Sequence, residues 1–231
     1  MAKYADMMQS EQQRRAYLDA LGIDVWLPRD QAEPVDAGEE RPVDGPVAED
    51  WASLETQVSA CQRCELAASR TQTVFGVGNR AADWMVIGEA PGAEEDRRGE
   101  PFVGRAGQLL DEMLRAVGLS RDGVFVANIL KCRPPNNRDP KQGEADACRG
   151  YLDRQIALVK PKVILAVGRI AAQQLLGRDD PVGRLRGSPH TVNDIPVIVT
   201  YHPAYLLRRP SEKARSWSDL CLARRVLEEA A

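Results

Sequence analysis

Residues 84–119 read WMVIGEAPGAEEDRRGEPFVGRAGQLLDEMLRAVGL. An apolar run of strand length enters a loop rich in Gly and Pro, and the loop gives way to apolar residues at helical spacing. Strand, loop and helix in that order form the unit from which parallel sheets covered by helices are built. A glycine-rich loop at this place usually cradles phosphate at a helix N-terminus. This one is acidic, lacks the G-K-[ST] ending of a phosphate loop and does not match G-x-G-x-x-G. An acidic loop repels phosphate; it suits a neutral ring that offers N–H donors, or a reaction that passes through a cation.

The alternation continues along the chain. Apolar runs at 84–87, 124–130, 163–167 and 195–201 are expected strands, separated by the helical patterns AGQLLDEMLRAVGL, EADACRGYLDRQIALV and RIAAQQLL. Ligands of such sheets bind beyond the carboxyl ends of the strands, so the residues that follow each run are the informative ones. Glu89 follows the first run, Asn128 ends the second and His202 follows the fourth. An acid, an amide and an imidazole opening onto one crevice are suited to reading a polar planar ligand, and Phe102 can supply an apolar face beside it. Taken singly, each has a plainer role: Asn128 as a turn cap, Glu89 and Glu95 as acids near a helix N-terminus, His202 as a turn residue before proline.

Length and charge set the frame. A chain of 231 residues with 43% apolar and 28% charged residues is ordinary for one globular domain with an appendage. The net charge of -3 is unevenly spread: residues 1–50 hold 5 Lys/Arg and 12 Asp/Glu, whereas 51–231 hold 26 and 22. The body is therefore mildly basic, which permits a nucleic-acid partner without demanding one. Residues 1–28 are expected to form a helical segment, a docked helix or a peptide for a repair or replication protein. Residues 29–50, rich in Pro, Gly and acids, form a linker, and 51–231 form the main domain. No apolar stretch spans a bilayer and no secretory signal stands at the start; a cytoplasmic protein with no membrane partner is expected.

Five cysteines occur. Cys61-x2-Cys64, with Cys132 and then Cys148 after fifteen intervening residues, has the spacing of a metal or cluster site. Four thiolates suit tetrahedral zinc or a 4Fe-4S cluster equally, and spacing does not choose. Cys221 lies on an amphipathic helical pattern and reads as a core or surface thiol.

These pieces together resemble family 4 of the uracil-DNA glycosylases, the iron-sulfur type of bacteria and archaea. The motifs that carry the resemblance are GEAPGAEEDRRGEPFVGRAG, NILKCRPPNN and HPAYLLR with the four cysteines, and it covers about 54–227. It implies a three-layer α/β/α fold with a central four-stranded parallel sheet, and a 4Fe-4S cluster held by Cys61, Cys64, Cys132 and Cys148. The activity it implies is hydrolysis of the N-glycosidic bond of uracil in DNA, single- or double-stranded, by a monomer. Phe102 would stack on the flipped base, Asn128 would pair with its O4 and N3–H, Ala90 would line the pocket, and Glu95 would lie near C5. His202 would donate to O2, with Glu89 and Glu95 as the candidate water-activating acids, because Ala90 stands where better-known uracil glycosylases carry Asp. Leu206 and Leu207 resemble an inserted wedge, and Arg208 and Arg209, with Lys213 and Arg215 nearby, would meet the DNA backbone. Two readings of other classes remain at this level: a non-catalytic iron-sulfur DNA-binding module of the same fold, and a zinc-stabilised nucleotide-binding scaffold.

Overall fold

The computed structural model describes residues 50–229. The helical segment expected at 1–28 and nearly all of the linker expected at 29–50 lie outside the described residues. The carboxylate of Asp50, the last residue of that expected linker, accepts the Ser53 N–H at 2.8 Å and caps helix α1, Trp51–Ser59.

Six strands follow: β1 (Val77–Gly78), β2 (Trp84–Gly88), β3 (Phe125–Asn128), β4 (Val163–Val167), β5 (Pro189–Val192) and β6 (Ile195–Thr200). They form one sheet in the order β1-β3-β2-β4-β6-β5. The inner four, β3-β2-β4-β6, are parallel, as expected, and every residue of β2, β3 and β4 is buried. Burial on both faces explains why these strands read as unbroken apolar runs instead of alternating ones. The two edge strands, which the four-stranded expectation lacked, are antiparallel to their neighbours. β5 turns into β6 through Asn193 and Asp194, at φ of 49° and 63°, the left-handed pair that a two-residue hairpin requires.

Seven more helices cover the sheet: α2 (Ala93–Arg98), α3 (Arg105–Ala116), α4 (Gln142–Val159), α5 (Arg169–Leu176), α6 (Val182–Leu185), α7 (Pro203–Arg208) and α8 (Lys213–Glu229). Alternate residues of β2 divide between two cores. Met85 and Ile87 join Leu54, Leu152, Ile156, Ala171 and Leu185 under α1, α4, α5 and α6. Trp84 and Val86 join Leu110, Leu114, Leu206 and Leu220 under α3, α7 and α8. The result is the expected α/β/α sandwich. Cys132 and Cys148 belong to the first core and Phe102 to the second, so cysteines and aromatic wall lie on opposite faces of the sheet. Among the described residues no helix is long and apolar enough to cross a membrane.

Candidate active site

Parallel register brings the strand ends into one place. Gly88 of β2 pairs with Asn128 of β3, and Val167 of β4 with Thr200 of β6, so Glu89, Asn128 and His202 emerge from the same edge. A cleft of about 470 Å³ opens there, and Glu89, Ala90, Glu95, Phe102, Asn128 and His202 all line it. The sequence pattern also passed over several lining residues, Asn137 and Tyr205 among them. Asn137 sits in the PPNN turn at φ 53°, and a Pro-Pro-Asn-Asn run is itself a signal for left-handed turn backbone.

Two glycines leave room for Asn128 and Phe102. A Cβ at Gly88 would meet Asn128 Oδ1 at 2.5 Å and Phe102 Cζ at 2.6 Å, so the bare backbone there lets both side chains lie across the end of β2. A Cβ at Gly107, in the first turns of α3, would stand 1.7 Å from the Phe102 carbonyl oxygen. Phe102 itself is held at φ 54°, a conformation a bulky residue adopts only when its surroundings impose it. Its ring stacks near that of His202, with centroids 5.6 Å apart and planes 29° apart.

Glu95 imposes part of that constraint. Its Oε1 accepts the N–H groups of Val103 and Gly104 at 3.0 and 3.2 Å, and its Oε2 accepts that of Gly92 at 3.1 Å. Both oxygens accept from backbone, which suits a clamp on the loop that carries Phe102. Asp96, buried beside it, ties the same loop to Thr71 through the Thr71 N–H at 2.9 Å and hydroxyl at 2.7 Å.

Asn128 is 2% exposed, and its Oδ1 has no hydrogen-bond partner. A buried carbonyl oxygen left unpaired costs about 1–3 kcal/mol, and the residue that carries this one lines the cleft. His202 is the opposite case. Its Nδ1 accepts the Ala204 N–H at 3.1 Å and caps α7, which leaves the proton on Nε2. Burial, with Arg208 nearby, pushes the imidazole down to about 4. His202 is therefore a neutral donor across the range in which most proteins work.

Glu89 has the complementary shift. Burial, aided by the negative charge of Asp139 and opposed by Arg169, pushes its carboxyl up to about 7. An acid raised and an imidazole lowered thus line one cleft.

On the other face of the sheet, Cys61, Cys64, Cys132 and Cys148 share one core cluster, and all four are free thiols. Arg70 Nη1 donates to Cys132 Sγ at 3.2 Å while its Nη2 holds the Cys61 carbonyl at 2.7 Å. The Lys131 N–H donates to Cys148 Sγ at 3.4 Å. Among the described residues no three His, Cys, Asp or Glu side chains converge on a position for a single metal ion. Cys221, on α8, lines a separate surface groove with Trp217 and Arg224, apart from the four.

A family model of the uracil DNA glycosylase superfamily matches residues 75–223. The type-4 uracil-DNA glycosylase of Archaeoglobus fulgidus is 44% identical over 171 residues, spanning 71% of this chain and 86% of the relative. That of Thermotoga maritima is 44% identical over 161 residues, spanning 69% and 84%. The chain belongs to the type-4 uracil-DNA glycosylases. A type-5 uracil-DNA glycosylase of Thermus thermophilus is more distant, 34% identical over 118 residues that span 45% of this chain and 53% of the relative.

In this type-4 chain the segment around α7 divides differently from expectation. Leu206, expected to share the wedge, is 1% exposed and packs in the core with Leu110 and Leu220. It lies within that core, whereas Leu207 is 37% exposed. Arg208 lines the cleft, and Arg209 and Lys213 stand exposed beside it. Arg215 is also exposed, but it pairs with Glu212 at 3.1 Å.

Proposed function

We propose that this chain flips uracil out of DNA and hydrolyses its N-glycosidic bond, the first step of base excision repair. The unpaired Asn128 Oδ1, buried in a cleft beneath Phe102, carries the reading within a family whose named relatives are uracil-DNA glycosylases. A base inside a duplex is out of reach, so the enzyme extrudes it and reads its Watson–Crick edge. Uracil N3–H donates to Asn128 Oδ1 and the Asn128 amide donates to O4. Cytosine reverses both donor and acceptor and leaves buried polar groups unpaired, at about 1–3 kcal/mol each. Phe102 stacks on the ring. The clamped loop at Glu95 forms a rigid wall beside C5, where thymine's methyl clashes.

As the bond lengthens, negative charge gathers on uracil and positive charge on the sugar. His202 Nε2–H donates to uracil O2 and stabilises the departing anion, a preorganised contribution of the oxyanion-hole kind. Because the ring is neutral, it stabilises by hydrogen bonding without transferring a proton. Glu89, titrating near 7, is about half ionised at neutral pH, where it can take a proton from the attacking water. Its charge also favours the oxocarbenium ion, as carboxylates do in glycoside hydrolysis. Ala90 keeps the space beside it open. Leu207 fills the gap the base leaves, while Arg208 and Arg209 meet phosphates.

Cys61, Cys64, Cys132 and Cys148 would hold a 4Fe-4S cluster. Four free thiols share one core, one under the Arg70 guanidinium and one under a backbone N–H, and that is the surrounding an anionic thiolate cluster needs. When bound, the cluster supplies a covalent brace between the 61–64 segment, the end of β3 and α4.

An end-labelled oligonucleotide with one central uracil, offered single-stranded, as U:G and as U:A, tests the function. Alkali-labile breaks confined to uracil-containing strands are expected. A preparation that binds DNA and carries iron yet makes no breaks would instead identify an inert module. Iron and sulfide analysis of the purified protein decides between cluster and zinc.

A further inference from the structure

The base pocket leaves one discrimination unmade. In the function proposed, Asn128, His202 and Phe102 meet the edge and face of uracil, which are the same whether the base hangs from deoxyribose or from ribose. Uracil is an ordinary base of RNA, so a pocket that reads the base alone accepts uridine as readily as deoxyuridine. The 2′-hydroxyl is the group by which a protein tells the two apart, and the residue that meets it must stand beside the sugar.

Helix α7 offers a side chain in that place. His202 at its N-cap, Tyr205 and Arg208 fall at three-residue intervals, and all line the cleft. A helix rises about 1.5 Å per residue, so Tyr205 stands midway along it between the donor to uracil O2 and the group that meets phosphate. A nucleotide has the same succession of base, sugar and phosphate. Tyr205 is also braced from behind. Its ring stacks on that of Tyr201, with centroids 5.1 Å and planes 28° apart, and the Arg186 guanidinium lies 5.8 Å from the Tyr201 ring centroid. Arg186 in turn donates to both carboxylate oxygens of Asp219, at 3.0 and 2.8 Å, and Asp219 is wholly buried. Exclusion by shape needs a wall locked by its own packing and hydrogen bonds, and this ring is rooted in the core through a buried ion pair.

We propose that Tyr205 is a specificity-determining residue that packs against the deoxyribose of the flipped nucleotide and rejects the 2′-hydroxyl of uridine. The proposal rests on the reading of His202 and Arg208 as the contacts to uracil O2 and to phosphate. The phenol ring fills the space a hydroxyl on C2′ needs, and a hydroxyl pressed against it loses its water without gaining a partner.

The test uses full-length protein, wild type and Tyr205→Ala, with single-stranded oligonucleotides that differ only at one central residue, deoxyuridine or uridine. Free uracil is measured by chromatography in single turnover, because alkali cuts at a ribonucleotide by itself. The uridine bond is intrinsically slower to break, but that factor is common to both proteins and cancels when their preferences are compared. Tyr205→Ala should narrow the preference for deoxyuridine by about 10- to 100-fold, the range over which a shaped pocket rejects an added hydroxyl. Tyr205→Phe keeps the ring and should retain the wild-type preference. A residue that merely braced α7 would slow both substrates alike and leave the ratio unmoved. An unchanged ratio for Tyr205→Ala would overturn the proposal, and so would uridine left intact by both proteins. If Tyr205→Ala does not fold, Tyr205→Leu keeps an apolar side chain on α7 without the ring and is judged by the same ratio. Wild-type protein that releases no uracil from the deoxyuridine strand would bring down the reading beneath the proposal, and that is seen before any variant is compared.

Discussion

Glu89→Gln should make this protein more stable and less active at once. The Glu89 carboxyl is pushed from an ordinary 4.5 up to about 7, chiefly by burial, so the folded state keeps its proton at pH values where the unfolded chain has already lost it. Folding stability therefore falls as pH rises between about 4.5 and about 7, and the cost is complete above that. Each tenfold change in proton affinity is worth about 1.4 kcal/mol, which sets a ceiling of about 3.5 kcal/mol; partial contact of Glu89 with solvent lowers the figure to about 1–2 kcal/mol. Glutamine has the same shape and no charge, so the variant escapes the penalty. Denaturant unfolding at about pH 8.5 should show the variant more stable by that amount, and at about pH 5 the two proteins should agree within about 0.5 kcal/mol. Single-turnover excision should slow at least about tenfold and lose its rise with pH near 7. Equal stabilities at both pH values would refute the raised carboxyl, and an unchanged excision rate would refute its role as base.

Three further outcomes follow from the geometry. Leu206→Ala should cost about 2–5 kcal/mol of stability, whereas Leu207→Ala should change stability by less than about 0.5 kcal/mol and slow excision from duplex more than from single strands; thermal melts beside excision assays on both substrates separate the two leucines. Glu95→Ala should lower the melting temperature and the excision rate but leave the shape of the pH–rate profile intact, since Glu89 is the group titrating near neutrality; a flattened profile would restore Glu95 as the base. Replacing Arg208 and Arg209 together by Ala should reduce the slope of log binding constant against log salt by about two, and an unaltered slope would remove both from the phosphate contacts.

The inner sheet was legible because strands buried on both faces are written as continuous apolar runs, and WMVIG and VILAV are of that kind. The edge strands were not: β1 has two residues, and β5 has four, none of them buried. The N-D turn between β5 and β6 was the available signal. At the site, residues at strand ends were readable from topology alone, which is why Glu89, Asn128 and His202 were found. What a side chain does once there was less readable. Leu206 and Leu207 are adjacent and chemically alike, and only the packing of α7 on α3 and α8 tells core from tip. The loop clamp of Glu95 was hidden because the residue three before it is Gly92, which has no side chain to complete the usual capping signature.

The cap on α7 gives His202 two occupations that cannot be separated. The Nδ1 atom that ends the helix is also what assigns the proton to Nε2, and the helix has only six residues. Fraying of so short a segment lies near the cheap end of local opening. When it opens, Nδ1 loses its donor, the two tautomers compete, and the donor aimed into the cleft is no longer guaranteed. The chemistry should therefore fade with the first loosening of one helical turn, at temperatures where the sheet and both cores are still intact.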